Sequence, residues 1–265
     1  MSTKIEWCDE TWNPVTGCTK VSEGCANCYA EGIAKRFWRE RKFSDVKCHI
    51  DRLDKPLHWK KPRKVFVCSM GDLFHDDVPF EFIVKVFDII EQCPEHTFMI
   101  LTKRPENMLK FIIKWKNYFI ETDRMCYCEG LNQWTMFYPN AFLGVSVENQ
   151  HTADVRVPFL IKMPPAIKFV SCEPLLGSLD LGRIIRHKNI HEQSTYSYAS
   201  YIEHLNWVIC GGETGLRARP MDLKWARRLR DQCEGYDVPF FFKKTGDGSE
   251  TPDDLMIRNF PSETN

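Results

Sequence analysis

Six short apolar segments recur along the chain, each rich in β-branched or aromatic residues and each ending in small or polar ones. Nearly continuous apolar runs of this length are typical of strands buried on both faces, as in a parallel sheet. KIEW near the N-terminus is a candidate for one more strand. The six segments are 64–72 (KVFVCSMGD), 97–106 (TFMILTKRPE), 141–149 (AFLGVSVEN), 167–177 (IKFVSCEPLLG), 206–213 (NWVICGGE) and 238–246 (VPFFFKKTG).

Segments with helical periodicity lie between these runs, and the alternation predicts an α/β fold. A partial (β/α)6–7 barrel of TIM type explains the number of units better than a doubly wound sheet does, without excluding the latter. Two stretches, about 116–138 and 184–204, fit neither period, and we interpret them as insertions on loops of a single domain, 1–265. The predicted helices cover 80–90, with Pro79 in the first turn, 105–115, 149–163, where Pro158 weakens or kinks the helix, and 222–235, with Asp222 as N-cap.

Polar residues follow the apolar runs directly. In either architecture, ligands bind at the carboxyl ends of the strands. One charged residue at a strand end is unremarkable, but charges after five successive strands predict a binding site. The residues concerned are Asp72, His75, Lys103, Arg104, Glu106, Ser146, Glu148, Asn149, Glu173, Glu213 and Lys243.

Cys18, Cys25 and Cys28 share one loop with the spacing Cys-x6-Cys-x2-Cys. A structural zinc site needs a fourth ligand, for which Cys8, Cys48 or His49 are candidates. A redox CxxC motif explains Cys25 and Cys28 but leaves Cys18 unexplained. Three thiolates also suit a [4Fe-4S] cluster with one iron left open to a small molecule, and a helix starting near Tyr29 would direct its positive end at that cluster. Three buried structural cysteines are the remaining, less favoured interpretation.

Composition restricts the partners and the compartment. Lys and Arg together number 36, as do Asp and Glu, so the formal net charge is zero. This balance argues against strong non-specific binding to long DNA, although a local basic groove or a nucleotide-sized substrate is compatible with it. We find no membrane-spanning run and no secretion signal, and therefore expect the 12 cysteines to reside in a reducing, cytoplasmic compartment.

Nine stretches of the chain resemble the phage Gp37/Gp68 family, which is also described by its three-cysteine motif. Together they cover nearly the whole chain outside the two insertions. They are EWCDETWNPVTGC, GCANCYAE, VFVCSMGDLFHDDVP, HTFMILTKRPE, LGVSVENQ, FVSCEPLLG, WVICGGETG, ARPM and VPFFFKKTG.

The resemblance implies an enzyme of radical S-adenosylmethionine (SAM) type, in which a partial barrel carries the three cysteines on the loop after its first strand. Two features depart from the common pattern of those enzymes. The gap between Cys18 and Cys25 is longer, and Asn27 stands where an aromatic residue is usual. A metal-stabilised binding module, with zinc or an iron–sulfur cluster and a role in phage–host interaction, is the alternative.

On this resemblance, Cys18, Cys25 and Cys28 hold a [4Fe-4S] cluster whose fourth iron binds SAM. Lys103, Arg104 and His75 are the candidates for substrate binding. A nucleobase or nucleotide, free or within DNA, is the expected substrate, and a one-electron donor is the expected partner, in a bacterial host or encoded by a phage. The candidate cofactor-binding residues are Ser69, Gly71, Asp72, Ser146, Glu148, Glu173, Glu213 and Lys243.

Overall fold

Seven parallel strands form one curled sheet whose order follows the chain. The computed structural model describes residues 3, 5–122, 126–128, 133–135, 139–164, 167–188, 196–215 and 217–261, with only the backbone for 117–135 and 185–198 within those ranges. Each strand pairs with the next in sequence, as in a barrel of parallel strands, and the curled sheet forms half of such a barrel. The strands are β1 (Glu10–Trp12), β2 (Lys64–Val67), β3 (Thr97–Thr102), β4 (Ala141–Ser146), β5 (Lys168–Cys172), β6 (Trp207–Cys210) and β7 (Phe240–Phe242).

In the described ranges, five α-helices lie on the connections between these strands. They are α1 (Tyr29–Phe37), α2 (Phe80–Glu91), α3 (Pro105–Thr122), α4 (Gln150–Ile161) and α5 (Leu223–Gly235). Asn149 caps α4 by accepting a hydrogen bond from the Thr152 amide, and Asp222 caps α5 as its sequence position predicts. Pro158 lies inside α4, which continues through it. None of the helices in the described ranges combines the length and apolar character that a membrane crossing requires.

The two faces of the sheet bury different side chains because successive residues of a strand point to opposite sides. Val65, Val67 and Ile100 lie on the face that packs against the helices. The concave face carries a second apolar cluster of Phe66, Met99, Phe142, Phe169, Trp207 and Phe241, onto which Trp7 packs from the N-terminal segment. The rings of Trp7 and Phe66 have centroids 4.6 Å apart. The interior of the half-barrel is therefore filled with side chains over much of its depth.

Several predictions of local structure are wrong. The first strand is Glu10–Trp12, whereas residues 5–7 of the predicted KIEW strand form no strand and Trp7 lies in a turn. Helix α3 runs to Thr122, past the predicted start of the first insertion. The insertions also contain regular structure: strands Cys126–Cys128 and Gln133–Thr135 pair antiparallel, as do Ile184–Lys188 and Tyr196–Ser200. Within 116–138 and 184–204, residues 123–125, 129–132, 136–138 and 189–195 lie outside the described ranges.

Candidate metal and cofactor site

The cysteine loop, residues 17–28, connects the first strand to α1 at the carboxyl edge of the sheet. Its start is fixed on the loop after β2, because the Gly17 amide donates to the Met70 carbonyl at 2.9 Å and Gly17 forms a parallel bridge with Gly71. Gly17 has φ +94°, and a Cβ there would lie 2.6 Å from the carbonyl oxygen of Asp45. Only glycine meets both conditions.

The three loop cysteines are free thiols and are half-buried. Cys25 closes a short 3₁₀ helix, Glu23–Cys25, and Cys28 is the N-cap residue of α1. The N-terminus of α1 thus begins at a cysteine, as the sequence predicts, and its free amides favour negative charge there. Among the described residues, no three His, Cys, Asp or Glu side chains converge as ligands of a single metal ion. A cubane cluster has a different requirement, because each cysteine binds a separate iron.

Arg104 attaches the first part of the cysteine loop to the end of β3. Its guanidinium donates to the Cys18 thiol at 3.3 Å, and to the Thr19 carbonyl and hydroxyl at 3.1 and 2.7 Å. On its other side Arg104 lies 3.4 Å from Asp72, whose carboxylate also accepts from the Thr102 hydroxyl and the Lys103 amide. Burial and then the Asp72 charge raise the pKa of Cys18, while Arg104 opposes them.

His75 reaches the same part of the loop. Its Nδ1 accepts from the Asp77 amide at 3.1 Å, so the proton of the neutral ring resides on Nε2. That nitrogen lies 2.8 Å from the Thr19 hydroxyl and donates to it. Burial first, and then the nearby Arg104 charge, lower the pKa of His75, which favours the neutral ring at pH 7. The predicted substrate residues Arg104 and His75 therefore both contact the cysteine loop itself.

Glu148 holds the middle of the cysteine loop. It is fully buried, accepts from the Ser22 hydroxyl at 2.8 Å and pairs with Arg156 of α4 at 3.0 Å. Gly24 packs so closely on this carboxylate that a Cβ at Gly24 would overlap it. Lys103 approaches the same carboxylate, with 3.7 Å between Nζ and Oε1. A charge at the end of β4 therefore fixes the segment that carries Cys25.

Glu213, after β6, holds the end of the cysteine loop. Its carboxylate accepts from Asn27 at 2.9 Å and forms a fork with Arg219. Arg219 also donates to the Glu23 carbonyl at 2.9 Å. The hydrogen bonds from Arg219, and secondarily that from Asn27, outweigh burial and lower the pKa of Glu213 to about 2. Asn27, one of the two residues between Cys25 and Cys28, is thus bonded to the far side of the sheet.

Glu173 and Lys243 form a separate pair on the concave face. Lys243 Nζ lies 2.9 Å from Glu173 Oε1, and the Trp7 indole and Ser171 hydroxyl each donate to Oε2 at 3.3 Å. Burial alone would lower the pKa of Lys243, but the Glu173 charge prevails and raises it. Within the described residues, this pair makes no hydrogen bond or ion pair with the cysteine loop.

The remaining predicted site residues use mainly their backbone. The Ser69 carbonyl accepts from the Tyr29 hydroxyl at 2.7 Å, and its own hydroxyl donates to Asn13 at 3.2 Å. Ser146 offers its carbonyl to Arg156 at 2.7 Å. Both serines therefore stabilise the rim on which the cysteine loop rests.

The three candidates for a fourth metal ligand are engaged elsewhere. Cys8 is buried in the concave apolar cluster, and its thiol lies 3.8 Å from the Ile5 carbonyl. His49 is buried with Nε2 2.8 Å from the Thr16 hydroxyl. Cys48 packs against the core on the helix side of the sheet. The CxC spacing of Cys126 and Cys128 is by itself weak evidence for a second metal site, and their side chains lie outside the described part of the chain.

Sequence reasoning missed the residues that join the loop to the sheet. Thr19, Ser22 and Asn27 lie between the cysteines. The hydroxyl and amide groups at these positions could have indicated that they hold the loop by hydrogen bonds. Arg156 follows Glu148 by eight residues on the next helix, and Arg219 lies in the ARPM motif. Neither carries a local indication of its partner, because the contacts form only in the folded sheet.

A surface groove also lies at the opposite, amino-terminal edge of the sheet. It runs between Asp9, Lys64 and Asn140. None of the predicted site residues lines this groove.

Comparison with known proteins places the chain in a family. The family profile described as "Protein of unknown function (DUF5131)" matches residues 2–258. The chain belongs to the DUF5131 family. Because the match includes the cysteine loop and all seven strands, the loop and the half-barrel both lie within the family's domain. No curated protein matches the chain significantly. No solved structure does so either.

Proposed function

We propose that this DUF5131 protein is an iron–sulfur enzyme of radical SAM type, in which Cys18, Cys25 and Cys28 hold a [4Fe-4S] cluster. The single observation that carries the proposal is the attachment of the cysteine loop to three strand ends of a parallel half-barrel. Arg104, Glu148 and Glu213 each bond a different part of that loop. Such multiple attachment is what a loop needs to hold three ligands in fixed positions.

The donor set suits a cluster. Three half-buried thiols on one loop would supply three thiolates, and the N-terminus of α1 would add favourable partial charge. Arg104 would donate a hydrogen bond to one ligand sulfur. With Cys8, Cys48 and His49 held elsewhere, one iron would lack a protein ligand and be open to the amino and carboxylate groups of SAM.

A bound and reduced cluster would supply the electron that cleaves SAM, giving a radical that takes a hydrogen atom from the substrate. The chain's own residues orient and shield the reactants. The concave aromatic cluster closes the interior below the cysteine loop and excludes water from it. Glu173 and Lys243 provide a half-buried polar pair on that face, where the amino or carboxylate groups of SAM would find partners of opposite charge.

The proposed substrate is a nucleobase or nucleotide, free or within DNA. Lys103 supports this choice, because its ammonium lies at the loop with 20% of the side chain exposed and suits a phosphate. A cytoplasmic one-electron donor completes the proposal. The resemblance to the Gp37/Gp68 family and its association with phages are part of this proposal, because they suggest the nucleotide substrate.

The decisive experiment is anaerobic isolation followed by analysis for iron, sulfide and zinc. We expect about four irons and four sulfides per chain. Adding SAM should change the EPR signal of the reduced cluster, and dithionite should release 5′-deoxyadenosine. Stoichiometric zinc without sulfide would overturn the cluster. A reducible cluster that neither responds to SAM nor cleaves it would overturn the radical mechanism.

Matched cysteine variants locate the ligands. Cys18→Ala, Cys25→Ala and Cys28→Ala should each lose iron. Cys68→Ala removes a buried thiol that packs against the helices and should retain iron. Loss of iron from folded Cys68→Ala protein would show that the ligand assignment is wrong.

A further inference from the structure

Helix α1 carries an exposed apolar stripe that begins beside the cysteine loop. Tyr29, Ile33 and Phe37 are spaced by four residues and therefore share one face of the helix. Their exposed fractions are 46%, 41% and 67%, whereas Ala30 and Ala34, each the next residue after one of them, are buried. The Tyr29 hydroxyl bonds the Ser69 carbonyl, which fixes one end of the stripe at the rim of the half-barrel. The other end points away from the cysteine loop.

Positive charge accompanies this stripe. Residues 35–42 (KRFWRERK) contain five Lys or Arg and one Glu, in a chain whose net charge is zero. The Arg36 guanidinium lies 5.5 Å from the centre of the Phe37 ring. In the described part of the chain, Arg36 and Arg39 have no carboxylate at salt-bridge distance. Both cations are therefore available to an anionic ligand.

The spacing of these groups matches a single nucleic-acid strand. Tyr29 and Phe37 lie eight residues apart, about 12 Å along the helix axis, which is the length of roughly two to four nucleotides. Gly32, three residues after Tyr29, has open space where a Cβ would be, so no side chain blocks the approach of a base to that side of the Tyr29 ring. Aromatic rings that stack bases, with cations beside them for phosphates, are the features that recognise single strands.

We propose that the exposed face of α1 binds single-stranded nucleic acid and leads it to the cysteine loop. Tyr29 and Phe37 stack bases, while Arg36 and Arg39 contact phosphates. The stripe is continuous with Cys28, so a strand lying on it brings one nucleotide to the rim of the half-barrel. The inference rests on the proposed function only in making that nucleotide the substrate, because binding itself requires neither cluster nor SAM.

A single nucleic-acid strand fits this surface better than a protein partner does. An α-helix or β-strand of a protein partner would bury the apolar residues but leave Arg36 and Arg39 without regularly spaced anions. A duplex would hide the faces of its bases within the stack, so the exposed rings would gain nothing from it. A single strand presents both flat apolar faces and one negative charge per nucleotide.

Fluorescence anisotropy of the full chain with a fluorescein-labelled thymidine strand of about 20 nucleotides tests the proposal. We expect binding that weakens as KCl rises from about 50 to 200 mM, and much weaker binding of the matching duplex. Phe37→Ala should weaken strand binding about 5- to 50-fold, and Phe37→Trp should retain it. Arg36→Glu should weaken binding and reduce its salt dependence.

Two control variants separate this surface from general effects. Tyr236→Ala removes another exposed aromatic residue, 42% exposed at the end of α5, and should leave binding unchanged. Lys85→Glu changes the net charge as Arg36→Glu does, but on α2. Equal effects of Phe37→Ala and Tyr236→Ala, or of Arg36→Glu and Lys85→Glu, would overturn the proposal. So would a labelled Glu-rich peptide that binds through Phe37 while the strand does not bind.

Binding and chemistry have separate readouts. Strand binding by metal-free protein supports the α1 surface even if the chain proves to hold no cluster. A chain that cleaves SAM but does not bind the strand retains the proposed function and loses this inference.

Discussion

The guanidinium of Arg104 lies 3.3 Å from the thiol of Cys18, although 86 positions separate the two residues in sequence. Arg104 also pairs with Asp72 at 3.4 Å, and both side chains of that pair are 7% exposed. A buried cation therefore connects the cysteine loop with the ends of β2 and β3. Because the guanidinium has a rigid fork of donors, it fixes the direction as well as the distance of its partners.

Arg104→Ala should lower the free energy of unfolding by about 3 kcal/mol, because it leaves the Asp72 carboxylate buried without its cation. Arg104→Lys keeps the charge but loses the fork, and should have an intermediate effect. Urea denaturation of the metal-free protein at pH 7 measures both. Arg183→Ala is the control, since Arg183 pairs with Asp154 while 52% exposed and should cost far less. Equal losses for the two alanine variants would show that the buried pair is not formed.

The sequence predicted the strands of the sheet well, because both of their faces are buried. The run at 141–149, for example, contains β4, every residue of which is buried. Strand β1 was not predicted, because it is a three-residue edge strand, Glu10–Trp12, without an apolar run. The hairpins in the two insertions do not contribute strands to the main sheet, so they too lack the apolar runs that mark its strands.

The candidate site was predictable in its residue types but not in its contacts. Cysteine spacing and charges after the strands indicated the cysteine loop and Glu148, Glu173 and Glu213. Their partners were not predictable, because Ser22 and Glu148 are 126 positions apart and Asn27 and Glu213 are 186 apart. Contacts between residues so far apart in sequence depend on how the sheet curls, and no local sequence pattern predicts that curl.

Gly24→Ala should disturb the cysteine loop, because the new methyl group would overlap the Glu148 carboxylate. That carboxylate is fully buried and held by Arg156, so it has little room to move. We expect a loss of about 1–3 kcal/mol in the free energy of unfolding, together with lower iron content after anaerobic isolation. Thermal unfolding and iron analysis measure the two effects.

Gly32→Ala is the matched control. Gly32 lies in α1 with open space where a Cβ would be, so alanine should stabilise the helix by up to about 1 kcal/mol. Iron content should not change. If both glycine variants behave alike, the close packing of Gly24 on Glu148 is not present in solution.

The ionisation of Glu213 should make the free energy of unfolding depend on pH in the acid range. Its pKa in the folded protein is about 2, below its ordinary value of 4.5, because Arg219 and Asn27 bond the ionised form. Glu213 therefore contributes roughly 2–3 kcal/mol to the free energy of unfolding. This contribution is complete above about pH 5 and is lost as the pH falls from about 4.5 to 2. Urea denaturation across this range should show a steeper decline for wild type than for Glu213→Gln. Parallel curves would contradict the Arg219 fork.

Cys172 and Cys210 lie opposite each other in the neighbouring strands β5 and β6. Neither is exposed to solvent, and burial raises the pKa of each thiol well above its ordinary value. Alkylation requires both a thiolate and access to it. The two thiols should therefore be inert until the sheet itself opens.

Brief treatment of native, metal-free protein with iodoacetamide should accordingly divide the cysteines into classes. Cys25 and Cys28 are half-buried at the rim and should be modified first. Cys18 should follow more slowly, because burial and then the Asp72 charge raise its pKa. Cys172 and Cys210 should react only in denaturing urea, since local opening of a loop does not expose strands at the centre of a domain. Peptide mass spectrometry at timed intervals measures each rate. If Cys210 reacts as fast as Cys25 without denaturant, β6 does not lie where its register with β5 puts it.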